Sequence, residues 1–84
     1  MWKIKDERDL KELEKFGFTT AHYEEYYRYC REDDYVWVDK FTRKIDYRYF
    51  DLGLFRKSVE PQTTRAKVIT TKLIQAGYVE KVEE

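Results

Sequence analysis

The chain has 84 residues, of which 42% are hydrophobic and 40% are charged, and its 17 basic side chains are balanced by 17 acidic ones. A length of this order accommodates one domain at most, so we predict a single domain over residues 1–84. The neutral net charge gives no reason to expect strong non-specific attraction to nucleic acid or to a membrane surface. The aromatic content of 18% argues against a disordered chain.

Cysteine usage and apolar segments indicate the cellular compartment. Cys30 is the single cysteine, so the fold does not depend on an intramolecular disulfide. The N-terminal stretch Met1–Asp6 contains no apolar run of the length of a signal peptide. No segment approaches the ~18–20 apolar residues that cross a bilayer. We therefore expect a cytoplasmic protein that does not enter a membrane.

The first part of the chain predicts a short strand and a short helix. Trp2–Ile4 alternates apolar and polar residues, as a strand does. Residues 6–16 predict an amphipathic helix whose apolar stripe is Leu10, Leu13 and Phe16. Asp6 or Asp9 can cap the start of this helix, and Gly17 suits the left-handed position after its end.

The central segment is rich in aromatic residues and predicts an antiparallel meander. Residues 23–31 fit two patterns, because their apolar spacing suits a helix while their alternation suits a strand. The strand is favoured, since a polar turn at Glu32–Asp34 and a clear strand at Tyr35–Val38 follow it. A second turn at Asp39–Arg43 leads into the alternating residues Lys44–Phe50, so the segment predicts three strands.

The C-terminal part predicts a connector, a second helix and a tail. Residues 51–55 form the connector, after which Ser58 is expected to cap a helix with Pro61 in its first turn. The apolar stripe of that helix comprises Ala66, Ile69, Leu73 and Ala76, widened by Val68 and Ile74. Gly77 is expected to end the helix, and residues 80–84 are expected to fray.

Together these elements predict an α+β fold. A three-stranded antiparallel meander, to which Trp2–Ile4 can add a short fourth strand, packs against two helices. Val36, Val38, Ile45 and one set of tyrosines are expected to form the core with those helices. The sequence leaves open which aromatic side chains the second face of the sheet presents.

Two stretches of the sequence carry a resemblance to known proteins. One is the N-terminal stretch Trp2–Asp6 followed by Asp9–Phe18, and the other is the hairpin Val36–Lys40 with Thr42–Ile45. Together they resemble small uncharacterised proteins encoded by phages and prophages of Gram-positive bacteria. The resemblance covers about half the chain, and its motifs mark turns and caps rather than chemistry. It implies a cytoplasmic, phage-associated protein and implies no activity.

The sequence does not indicate catalysis or metal binding. His22 and Cys30, with nearby acidic residues, lack the paired spacing of a zinc site. The two side chains would be ~12 Å apart on a helix and ~26 Å apart along a strand, so they cannot form a nucleophile and its base. We expect no metal, no cofactor and no enzymatic activity.

The first candidate binding surface consists of aromatic and basic residues of the predicted sheet: Tyr35, Trp37, Arg28, Lys44 and Arg48. Tyrosine, tryptophan and arginine are typical of protein-binding hot spots, and the resemblance allows a host or phage protein as the partner. The leading interpretation is therefore a protein-interaction module, with packing of half-buried tyrosines as the competing explanation.

Two other assemblies use the same strands. A single-stranded nucleic acid could stack its bases on the aromatic faces, although the interspersed acids would repel its phosphates. A second copy of the chain could pair along a sheet edge or an aromatic patch.

The second candidate surface precedes the C-terminal helix. Its residues are Arg56, Lys57, Ser58 and Arg65, and a helix start with nearby cations and hydroxyls can hold an anion. The segment has no glycine-rich loop, so it is not a nucleotide cradle. An ordinary solvated helix start is the competing explanation.

Overall fold

The computed structural model describes residues 1–83, which contain six strands, one 3₁₀ helix and one α-helix. In chain order these are β1 (Trp2–Ile4), the 3₁₀ helix (Leu10–Phe16), β2 (Tyr26–Arg31), β3 (Asp34–Asp39), β4 (Ile45–Asp51), β5 (Leu54–Ser58), α1 (Thr64–Gln75) and β6 (Val79–Lys81). The strands form an antiparallel sheet in the order β2-β3-β4-β5 and a separate pair of β1 with β6. The predicted α+β class and antiparallel meander are confirmed, with one strand more than predicted.

The inner face of the four-stranded sheet forms the core. Tyr27 pairs with Val38, and Val36 pairs with Tyr47. These side chains are buried together with Ile45, as predicted. The ambiguous segment at 23–31 forms strand β2 from Tyr26 onward, because a strand directs alternate tyrosines into this core while a helix would not pair with β3.

The first helix is a 3₁₀ helix, which explains the spacing of its apolar residues. Leu10, Leu13 and Phe16 lie three residues apart, and side chains at that spacing line up along a 3₁₀ helix. Asp9 caps its start by accepting a hydrogen bond from the Lys11 N–H at 3.0 Å. Gly17 ends it at φ 92°, so the predicted stop is confirmed. Leu13 is fully buried in the core cluster.

The α-helix begins later than predicted. Thr63 caps it by accepting a hydrogen bond from the Ala66 N–H at 3.2 Å. The predicted cap at Ser58 was wrong, because Ser58 ends strand β5 instead. Pro61 therefore lies before the cap and not in the first turn.

The buried side of α1 is narrower than the sequence indicated. It consists of Ala66, Ile69, Thr70 and Leu73. Val68 and Ile74 are exposed, so the predicted widening of the apolar stripe was wrong. Ala76 is exposed as well, so its predicted place in the stripe was also wrong. A helix packed on one side of a small sheet needs only that stripe, and the remaining apolar side chains stay in solvent.

The two ends of the chain pair with each other. β1 and β6 are antiparallel, with Trp2 opposite Lys81 and Ile4 opposite Val79. The expected fraying of residues 80–84 was therefore wrong for its first residues, and Glu84 lies outside the described residues. Gly77, at φ 79°, reverses the chain after α1 and makes this pairing possible. The N-terminal strand accordingly pairs with the C-terminal strand and does not extend the meander as a fourth main strand.

Candidate binding surface on the outer sheet face

The second face of the four-stranded sheet, which we call the outer face, contributes no residue to the core cluster. Strand alternation places eleven side chains on it: Tyr26, Arg28, Cys30, Tyr35, Trp37, Asp39, Asp46, Arg48, Phe50, Phe55 and Lys57. The registers align them in rows across the strands, such as Arg28, Trp37 and Asp46. The outer face therefore presents aromatic and charged side chains that the strand registers hold in rows.

At its centre the outer face holds a three-layer stack, which we call the indole sandwich. The Tyr26 ring lies parallel to the Trp37 ring at a centroid distance of 4.4 Å and an interplanar angle of 8°. The Arg48 guanidinium carbon lies 3.9 Å from the Trp37 ring centroid. Because β2 and β4 flank β3 on opposite sides, the two groups cover opposite faces of the indole. Such contacts stabilise each other and hold the side chains in one arrangement.

Two polar atoms of the indole sandwich have no partner in the chain. Trp37 Nε1 and Arg48 Nε are both buried without a hydrogen bond among the described residues. Both are donors only, and an acceptor from outside the chain would reach them only after the side chains that cover them move. Buried donors without partners are uncommon in proteins, and each one calls for an explanation.

A second aromatic group continues the surface towards the β4–β5 hairpin. The rings of Tyr35 and Phe55 lie 6.1 Å apart, and those of Phe55 and Phe50 lie 5.0 Å apart, both edge to face. Phe50 and Phe55 are about half exposed, at 52% and 49%. The hairpin itself adds the exposed side chains of Leu52 and Leu54. Apolar surface therefore runs from the sheet to the tip of the hairpin.

Charges of both signs lie between the aromatic rings. Arg28 is paired with Glu24 at 2.9 Å, while Asp39 and Asp46 line a shallow depression of about 220 Å³ together with the indole sandwich. Electrostatic interaction with the adjacent Cys30 is the main reason that the pKa of Tyr35 lies above its ordinary value. A surface with this alternation of charge does not attract a uniformly anionic ligand.

Four of the five residues predicted for the first binding surface lie together on the outer face. Arg28, Tyr35, Trp37 and Arg48 come from three adjacent strands. Lys44 precedes β4, is exposed, and bridges to Lys3 of the small sheet. Their role in binding stays a prediction.

The four residues predicted for the anion surface are distributed differently. Arg56 is paired with Asp51 at 3.4 Å, and Arg65 is paired with Glu32 at 2.9 Å. Lys57 lies on the opposite face of β5 from Arg56, because the two residues are adjacent in one strand. The Ser58 hydroxyl accepts hydrogen bonds from residues 60 and 62. These contacts do not support a single anion site formed by the four residues.

Sequence reasoning missed the hairpin that completes the surface. The sequence predicts a connector at 51–55, yet Leu52 and Gly53 form the two-residue loop between β4 and β5. Both have positive φ, at 52° and 76°, as a two-residue hairpin loop requires. Leu54–Ser58 shows no alternation of apolar and polar residues, so the available signal was the glycine directly before it.

Within residues 1–83 no three histidine, cysteine or acidic side chains converge as metal ligands. Neither helix in this part of the chain has the length and apolar character needed to cross a membrane. No family model, curated protein or solved structure matches the chain.

Proposed function

We propose that this protein is a non-enzymatic interaction module that binds another protein through the outer face. The observation that carries the proposal is the indole sandwich and the adjacent Tyr35–Phe55–Phe50 group, which lie on a face that the core does not use. Tryptophan, tyrosine and arginine fixed in place are the side chains that dominate protein-binding energies. The resemblance to phage and prophage proteins suggests a host or phage protein as the partner.

The organisation of the surface supports a protein rather than a small ligand. Two depressions on the outer face are small, at about 220 and 310 Å³, and the aromatic groups spread over four strands. Small molecules are usually held in concave pockets that bury most of their surface. An extended face with a hydrophobic centre and charges of both signs at its margins fits a protein interface.

Single-stranded nucleic acid is the alternative ligand for the same face. A base needs a free ring face for stacking, and both faces of Trp37 are covered by Tyr26 and Arg48. Asp39 and Asp46 would also lie close to the phosphates. An NMR titration with a mixed single-stranded oligonucleotide at low salt, where phosphate binding is strongest, separates the two proposals. We expect no salt-sensitive shifts at Tyr35, Trp37 or Arg48, and such shifts would favour the nucleic-acid alternative.

Comparative affinity capture tests the proposal. The face variant Tyr26→Ala/Tyr35→Ala removes two outer-face rings that are not part of the core cluster. The control Lys67→Ala/Val68→Ala alters exposed residues of α1, on the other side of the sheet. From a lysate of the cells that naturally make the protein, we expect the wild type and the control to capture the same protein and the face variant to lose it. Equal capture by all three would contradict the proposal.

A further inference from the structure

The two edges of the four-stranded sheet differ in whether another segment of the chain forms hydrogen bonds with them. At the β2 edge, the Thr19 N–H donates to the Arg28 carbonyl at 2.8 Å, and the Arg28 N–H donates to the Thr19 carbonyl at 2.7 Å. At the β5 edge, no backbone hydrogen bond joins residues 54–58 to any segment of residues 1–83 other than β4. The sheet therefore has one covered edge and one open edge.

Hairpin geometry identifies the backbone groups that are free at the open edge. Asp51 and Leu54 flank the two-residue loop and form the first pair of the hairpin, and such a pair exchanges both of its hydrogen bonds. By alternation, Arg56 and Ser58 also face β4. The N–H and C=O groups of Phe55 and Lys57 therefore face outward, and a strand added there would find two donors and two acceptors.

The side chains at this edge are more apolar than those that exposed sheet edges usually carry. Leu52 is 89% exposed, and it has a left-handed φ of 52°, a conformation that leucine rarely adopts. Leu54, Phe50 and Phe55 are each about half exposed. Exposed apolar residues beside a free edge favour pairing with another strand, and proteins normally avoid that combination. Its presence here indicates that the edge is used.

Charge identifies the kind of strand that fits. Lys57 has no carboxylate within ion-pair distance among the described residues, and Arg56 has only the half-exposed Asp51. In a pair of β5 strands from two copies, these cations would face each other across the edge, which disfavours self-association. An acidic strand would find opposite charges instead. Insertion of the hairpin tip into a membrane is disfavoured because Asp51 lies next to Leu52 and would have to leave water.

We propose that the partner adds an extended acidic segment to the sheet as a fifth strand beside β5. Backbone hydrogen bonds to Phe55 and Lys57 would supply affinity, Leu54 and Phe55 would contact apolar residues of the segment, and Lys57 would select acidic residues. This inference rests on the proposed function, because it names the partner's conformation and charge. The two proposals can still be tested separately. The edge inference depends on backbone groups of β5, whereas the face variant changes side chains of β2 and β3, of which the Tyr35 ring contacts Phe55.

The test uses fluorescent blocked heptapeptides and the complete chain. One peptide alternates valine with glutamate, a second alternates valine with lysine, and a third is the acidic peptide with an N-methyl group on every internal amide, so that the donors of both edges are blocked. We expect the acidic peptide to bind, the basic one to bind at least ~5-fold more weakly, and the N-methylated one to lose a similar factor because its backbone donors are blocked. Equal binding of the acidic and basic peptides, or of the acidic and methylated peptides, would overturn the inference.

Protein variants provide a second readout. Lys57→Pro removes an outward-facing N–H, which a sheet edge tolerates, and Lys57→Ala removes the charge while keeping that donor. We expect Lys57→Pro to weaken the acidic peptide more than Lys57→Ala does. If sedimentation shows a dimer that Lys57→Pro dissociates, or if anionic vesicles bind both variants equally well, the edge serves a second copy or a membrane and the inference falls. If no peptide binds but the Tyr26→Ala/Tyr35→Ala variant still loses its captured partner, only the edge inference fails.

Discussion

Tyr47 and Thr70 meet inside the core through their hydroxyl groups, 2.7 Å apart. Tyr47 is 1% exposed and Thr70 is 3% exposed, so neither hydroxyl can turn to water instead. The bond ties strand β4 to helix α1 across the core. A buried polar pair of this kind fixes the orientation of the two elements, because only one docking geometry satisfies both groups.

Removing one member of this pair should be more harmful than removing both. We expect Tyr47→Phe to lower the free energy of unfolding by ~1–3 kcal/mol, since it leaves the Thr70 hydroxyl buried without its partner. Tyr47→Phe/Thr70→Val should cost less than the sum of the two single changes. Urea unfolding of the four proteins measures this coupling, and strictly additive losses would show that the hydroxyls do not stabilise each other.

The same tyrosine should make stability depend on alkaline pH. Burial raises the pKa of Tyr47 from 10.0 to about 12, against a smaller lowering by the Thr70 hydroxyl. Because the folded state favours the neutral phenol, this contribution to stability is fully present below about pH 10 and is lost as the pH rises towards 12. Over that range the wild type should lose up to ~1.4 kcal/mol per pH unit more than Tyr47→Phe. If the free energy of unfolding changed with pH in the same way for the two proteins, Tyr47 would not be the cause of the alkaline destabilisation.

At the scale of elements, the spacing of apolar residues and the capping residues predicted the first helix well. The pairing of strands was predicted poorly. The apolar stripe at Leu10, Leu13 and Phe16 and the stop at Gly17 could be read from the sequence, because a short helix is defined by local contacts. Strand β5 could not, because its side chains are mostly exposed and the alternation of burial is absent. The pairing of β1 with β6 depends on bringing distant segments together, which no local pattern encodes.

The β4–β5 hairpin gives a prediction about stability and function together. Leu52 adopts a left-handed φ that asparagine accommodates with less strain. We expect Leu52→Asn to raise the free energy of unfolding by ~0.5–1 kcal/mol, while it weakens partner binding by removing an exposed apolar side chain. Leu52→Ala, which keeps the unfavourable conformation, is the control and should not be stabilised. An unchanged or lower stability for Leu52→Asn would mean that the loop is not strained by leucine.

At the scale of the whole molecule, one small core joins both sheets. Leu13 is fully buried and Ile69 is 3% exposed, and each belongs to the single cluster that also contains Ile4 and Val79. A domain of this size has a small margin of stability. The sequence identified the inner residues of this core correctly, because burial imposes a period on strands and helices. It could not tell that Tyr26, Phe50 and Phe55 share the outer face with Trp37, because that depends on strand registers that no local pattern encodes.

Core truncations test the helix faces. Leu13→Ala and Ile69→Ala should each lower the free energy of unfolding by ~2–4 kcal/mol, because each leaves a cavity in the core. Val68→Ala, on the exposed side of α1, is the matched control and should change it by less than ~0.5 kcal/mol. Thermal unfolding followed by circular dichroism measures all three. If both core variants unfolded at the same temperature as the wild type, these helices would not pack as described.

The account's central claim is that the outer face binds a protein, and site-specific photo-crosslinking tests it most directly. A photoreactive phenylalanine analogue is placed at Tyr26 or Tyr35 on the outer face and, as a control, at Lys67 or Val68 on α1. We predict that both outer-face positions crosslink to the same protein in the cells that naturally make this chain, and that the α1 positions do not. Crosslinks to one protein from α1, with none from the outer face, would contradict the claim.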